Sequence, residues 1–179
     1  MKTLMVVMIM IFGTRNAHAL FAAGTQLQTG KDQEKTLESL RDYDPLMTTN
    51  HHATSGKVDL KQSDVYSKVM STVMTSVLRI KYTAGGKDRE IVVTEDQPFM
   101  LTTGKLETAK HLYQHEALLA ADGTAAPIRS IHIENSKSQF GNLIAWELDE
   151  DNYFIANGVV VGGYPIEFKK PLPHPHPHR

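Results

Sequence analysis

Two short apolar runs, residues 153–156 (YFIA) and 159–161 (VVV), are separated by the pair Asn157-Gly158. That pair constrains the chain strongly. A two-residue hairpin turn needs positive φ at both central positions, which Asn and Gly tolerate best. The pattern recurs upstream. Leu78, Ile80 and Tyr82 alternate with Arg79 and Lys81, Gly85-Gly86 follows as a turn, and residues 90–93 resume an apolar run. Ile131 and Ile133 flank His132, and Ile144, Trp146 and Leu148 alternate with Ala145 and Glu147 before an acidic turn at residues 149–152. Alternation with period two reads as strand. Closely spaced strands and turns imply an all-β barrel or complex β fold.

Residues 65–74 are less direct. Val65, Val69 and Val73 fit a helical stripe, but the density of β-branched side chains favours a strand. Residues 50–57 (NHHATSGK) read as a surface loop, in which His51 and His52 are a solvated pair. Met70 and Met74 read as core filler. One internal echo is present. Residues 27–40 (LQTGKDQEKTLESL) resemble residues 100–112 (MLTTGKLETAKHL), with Thr29-Gly30-Lys31 matching Thr103-Gly104-Lys105. Each copy is followed by an apolar pair, Leu46-Met47 and Leu118-Leu119. The echo implies a pseudo-twofold domain.

The ends have their own character. Lys2 precedes an unbroken apolar run at residues 4–12 (LMVVMIMIF), and Ala17-His18-Ala19 gives a small-x-small pattern. Together they have the form of a cleavable secretory signal over residues 1–19, with Leu20 as the first mature residue. The run is too short to span a bilayer, which takes about 20 apolar residues. The expectation is an exported protein, periplasmic or extracellular, with no membrane association once the signal is removed. At the other end, residues 171–179 read PLPHPHPHR. Proline at every second position bars both helix and sheet, so residues 169–179 are expected to form an extended tail.

Composition narrows the chemistry. The chain has no Cys, which removes thiol nucleophiles, CxxC redox pairs and Cys-ligated zinc. The formal net charge is -1, and Lys2 and Arg15 leave with the signal, so no basic footprint for nucleic acid exists. His111 and His115 stand four apart but lack a neighbouring Glu motif, which argues against a zinc pair. His174, His176 and His178 could take Zn, Cu or Ni weakly. Ordering a Pro-rich tail opposes such binding. No other cofactor is expected, and the partner expected is an unidentified protein, with the chain itself a monomer.

Four blocks in order resemble the Hint domain, the Hedgehog/intein autoprocessing fold. Residues 20–25 (LFAAGT) resemble its opening, where a Cys is followed by Phe, two variable residues, Gly and Thr. Residues 93–99 (VTEDQPF) resemble its Thr-x-x-His block. Residues 108–119 with Asp122-Gly123 resemble its Gly-Asp-containing segment, and residues 153–161 resemble the closing strand pair that ends in Val-His-Asn. The resemblance spans residues 20–168 and implies a compact, pseudo-twofold, all-β horseshoe with short helical turns.

The same resemblance exposes what is missing. Hint chemistry needs a first-position nucleophile to attack the preceding carbonyl. It also needs a His to protonate the leaving nitrogen. Here Leu20 takes the nucleophile's place, Gln97 the place of His, and Gly162-Gly163 that of His-Asn. Thr94 alone matches the catalytic pattern, and reads equally as a strand-end Thr bonding the backbone. Tyr43-Asp44 and His115-Glu116 replace two Gly-Asp turns. The expectation is a non-enzymatic binding or structural module that has lost autoprocessing. Two alternatives stand beside it: residual self-cleavage through another nucleophile, and metal binding through the His-Pro tail.

Overall fold

The computed structural model describes residues 19–50, 52–145 and 153–163. Residues 1–18 of the signal expected over 1–19, His51, Trp146, Leu148 and the tail histidines His174, His176 and His178 lie outside the described residues.

Among the described residues twelve strands make one sheet system. β1 (Phe21–Ala22) is followed by the hairpin β2 (Gln26–Gly30) and β3 (Gln33–Thr36), a 3-10 turn (Leu37–Ser39) and β4 (Pro45–Thr49). β5 (Lys61–Ala84) then runs for 24 residues and returns as β6 (Lys87–Thr94). The pattern repeats: β7 (Pro98–Met100), β8 (Leu106–Thr108), a 3-10 turn (Ala109–His111), β9 (Ala117–Leu119), and the 21-residue β10 (Ala125–Ala145). The hairpin of β11 (Tyr153–Ala156) and β12 (Val159–Gly162) closes the described chain.

The short strands expected at 65–74 and 77–83 are one element, as are those around Ile131 and Ile144. The polar residues between them do not interrupt pairing. β5 and β10 stay paired from Ile128↔Tyr82 to Ala145↔Val65, with shifts only near the ends. Where β1 and β6 do not cover this ribbon, alternate side chains meet water on both faces. This overturns the core reading of Met74, which is 69% exposed, whereas Met70 packs against the core.

The pseudo-twofold repeat is real in the backbone. Leu37 N–H donates to the Thr25 carbonyl at 2.8 Å, and Ala109 N–H to the Gln97 carbonyl at 2.9 Å. Val65 N–H donates to Asp44 O, and Ile128 N–H to Glu116 O, both at 2.8 Å. The Arg41 amide is capped by Asp44 Oδ2 at 2.9 Å, and the Tyr113 amide by Glu116 Oε2 at 2.8 Å. Phe21 of β1 pairs with Val93 of β6, so the two halves meet at these strands. The Thr-Gly-Lys echo itself is out of register. The spacing that carries Tyr43 to His115 places Gly30 opposite Thr102, and only Gly104 has positive φ. The similar residues mark two hairpin tips of different length, while the repeat is set by the 3-10 turns and strands behind them.

The core follows from the alternation. Phe21, Leu27, Leu37, Leu46, Ile80, Phe99, Phe154 and Val161 are fully or almost fully buried, and the rings of Phe21 and Phe154 lie 5.6 Å apart. The Asn157-Gly158 turn forms as the sequence requires, with φ of 46° and 81°. Asn157 also ties the hairpin inward. Its Oδ1 accepts from Gln26 N–H and its Nδ2 donates to the Glu90 carbonyl, both at 2.6 Å. The buried Tyr82 hydroxyl donates to the Asn157 carbonyl at 2.9 Å, and burial pushes its pKa up.

Candidate functional site

The site is built around the peptide bond between Ala19 and Leu20. β1 begins one residue later and is held on both sides, by β6 at Phe21↔Val93 and by β10 at Phe21↔Gly141. A central strand has little freedom to slide. The Ala19–Leu20 junction is therefore carried to Thr94 at the end of β6 and to Asn142 within β10.

Thr94 is the last residue of β6. Its Oγ1 accepts a hydrogen bond from the Leu20 amide at 2.9 Å, and its own N–H donates to the Leu20 carbonyl at 3.0 Å. Asn142 lies in β10, next to the buried Gly141. Its Nδ2 donates to the Ala19 carbonyl, while its Oδ1 accepts from Leu143 N–H at 2.7 Å. Ala19, Thr94 and Asn142 are 3%, 6% and 4% exposed. The junction thus has its carbonyl oxygen gripped from one side and its nitrogen from the other. A donor on that oxygen is the arrangement that would favour negative charge there if a nucleophile attacked.

Leu20 stands where the resemblance implies the nucleophile. The Leu20 side chain is hydrocarbon and cannot attack the adjacent Ala19 carbonyl. Gln97 is fully buried, and its Nε2 donates to the carbonyls of Gly162 at 2.7 Å and Pro98 at 3.1 Å. Both donor directions are used on the main chain. Gln97 Oε1 has no partner among the described residues. An amide in this place fixes β12 against the Thr94–Gln97 turn, but it cannot deliver a proton at neutral pH.

Gly162 is fixed by space. A Cβ there would stand 2.9 Å from Pro98 Cβ and 3.2 Å from Pro98 Cγ, so any side chain forces Pro98 to move. Its absence of a side chain lets β12 close on β7 at Val161↔Phe99.

The sequence had singled out Thr94, Leu20, Gln97 and Gly162, and the fold brings all four into one neighbourhood of strand ends. It did not find Asn142. That residue sits inside a long strand with no motif around it, and only the register of β10 against β1 brings it to the junction. His111 and His115 are not on one helical face. His111 contacts Thr108 Oγ1 at 3.1 Å from a 3-10 turn, and His115 stands at φ 79°. No group of three His, Cys, Asp or Glu able to hold a metal occurs among the described residues. No helix of the described residues is long and apolar enough to cross a membrane.

Tyr43 and His115 hold the two turns where the resemblance implies Gly. Both adopt positive φ, 69° and 79°. Asp44 and Glu116 keep the acidic half of each turn. The Lys35 ammonium and the Arg41 amide hold the Asp44 carboxyl below its usual range.

No protein-family model and no curated protein matches the chain. Solved structures do. A bacterial intein-like domain from Clostridium thermocellum matches with a TM-score of 0.66 at 21% identity, covering 80% of this chain and 98% of that one. A DnaB intein from Synechocystis matches with a TM-score of 0.66 at 16% identity, covering 81% and 98%. The gp41-1 intein matches with a TM-score of 0.59 at 14% identity, again covering 81% and 98%. At these identities the likeness establishes the fold: the chain carries a Hint-like domain with the all-β architecture of inteins and intein-like domains.

Proposed function

We propose that this chain is an exported Hint-like domain that no longer processes itself and acts as a binding or structural module. One observation carries the reading. The Ala19–Leu20 peptide is gripped by Thr94 and Asn142, yet the two groups that would break it are replaced by Leu20 and Gln97. A grip without a nucleophile stabilises the ground state of the peptide and accelerates nothing. The junction coincides with the end of the small-x-small pattern at Ala17-His18-Ala19, so a host signal peptidase would make the cut that the domain cannot.

The test is the intact mass of the chain produced in a bacterial host that exports it, with and without inhibition of signal peptidase. The reading expects residues 20–179 when the peptidase is active and the full chain when it is blocked. Conversion to residues 20–179 under full inhibition would contradict it.

A further inference from the structure

The grip on Ala19 has a consequence once the chain is cut. Hydrolysis of the Ala19–Leu20 bond consumes one water. Its oxygen goes to the Ala19 carbonyl carbon, giving a carboxylate, and both of its hydrogens end on the Leu20 nitrogen, giving an ammonium at neutral pH. The upstream fragment then departs, but the groups that held its last residue remain. Asn142 Nδ2, in a side chain that is 4% exposed while Ala19 is in place, loses its acceptor, and the Leu20 nitrogen gains charge 2.9 Å from Thr94 Oγ1. Asn142 is held in place independently of Ala19 by the bond from Leu143 N–H to its Oδ1.

We infer that the mature domain carries a carboxylate-binding site, built from the Leu20 ammonium and the Asn142 side-chain amide and shaped for the C-terminus of a peptide ending in alanine. The inference rests on the proposed cleavage after Ala19. The ligand's carboxylate takes the place of the Ala19 carbonyl, one oxygen on Asn142 Nδ2 and the other on the ammonium. A charged pair of this kind is shorter and stronger than a neutral hydrogen bond. Ala19 is 3% exposed, so the residue bearing the carboxylate must be small. The uncut structure is the image of this complex with the peptide bond still closed.

The experiment uses the exported protein, isotope-labelled, after its mass has fixed where it begins. It is titrated with the pentapeptide of residues 15–19 (RNAHA) as the free acid, with the same peptide as its C-terminal amide, and with acetate. The free acid is expected to bind at least about tenfold tighter than the amide and tighter than acetate, and to shift the Asn142 side-chain amide signals. Asn142→Asp keeps the acceptor for Leu143 N–H and replaces the donor with a like charge, and is expected to abolish acid binding. Equal affinity for acid and amide, or shifts confined to other residues, would overturn the inference while the proposed function stands. Acetate binding as tightly as the pentapeptide would overturn the peptide part. A mature chain that does not begin at Leu20 would overturn both.

Discussion

Thr94 and Leu20 hold each other by two hydrogen bonds, Leu20 N–H to Thr94 Oγ1 at 2.9 Å and Thr94 N–H to the Leu20 carbonyl at 3.0 Å. The pair places the peptide nitrogen of the junction against a hydroxyl, with Asn142 on the neighbouring carbonyl. Position and polarity for cleavage are present, and Leu20 and Gln97 stand where the proposed reading needs a nucleophile and a proton donor.

Restoring reactivity should therefore need few changes. Leu20→Cys supplies a thiol beside the Ala19 carbonyl, and Gln97→His supplies a proton donor for the nitrogen. The double variant, made as the full chain without export, is expected to release residues 1–19 on incubation with a thiol. Intact mass would show residues 20–179 accumulating over time. Persistence of the full chain in a folded double variant would show that the grip is not catalytically positioned.

The closing end should resist repair. Gly162→Ala places a Cβ 2.9 Å from Pro98 Cβ, tighter than packing allows, and is expected to cost about 1–3 kcal/mol in denaturant unfolding. A variant as stable as the unmodified chain would mean that Pro98 yields freely.

Tyr43 and His115 carry left-handed backbone without being Gly or Asn, a conformation that costs roughly 1–2 kcal/mol per residue. Part of any gain from glycine is returned as unfolded-chain entropy. Tyr43→Gly and His115→Gly are each expected to leave stability unchanged or to raise it by up to about 1 kcal/mol, while Tyr43→Val lowers it. Thermal unfolding of the three variants checks the order. A loss with glycine comparable to that with valine would contradict the strain.

The Asp44 carboxyl is held below its usual range by Lys35 and by the Arg41 amide. A carboxyl depressed in the folded state stabilises it above the ordinary carboxylate range, and that stability is lost as pH falls through the folded value. Stability is therefore expected to fall below about pH 4, and less steeply in Asp44→Asn. Urea midpoints measured from pH 7 to pH 3 would show parallel curves if Asp44 were uninvolved.

Much of this architecture was legible in the residues. Asn157-Gly158, Gly85-Gly86 and the alternation around Ile80 announce hairpins because turn geometry and pleat are local properties. The length of β5 and β10 was not legible. Residues such as Thr75, Ser76, Asn135 and Ser136 look like breaks, yet they pair because the partner strand, not their own polarity, holds them. The repeat was visible through Leu46-Met47 and Leu118-Leu119, while Thr-Gly-Lys misled because a hairpin tip tolerates that triplet at several offsets. In the site, Thr94 and Gln97 were found through a motif four residues long. Asn142 reaches Ala19 across 123 residues of chain, a contact that only sheet register creates.

The central claim is that the domain does not cut itself. The most direct measurement is the intact mass of the purified full chain, made without export, after prolonged incubation with thiol and with hydroxylamine. The account predicts the unchanged mass of Met1–Arg179. Appearance of residues 20–179, or of a product ending at Gly162 or Gly163, would contradict it.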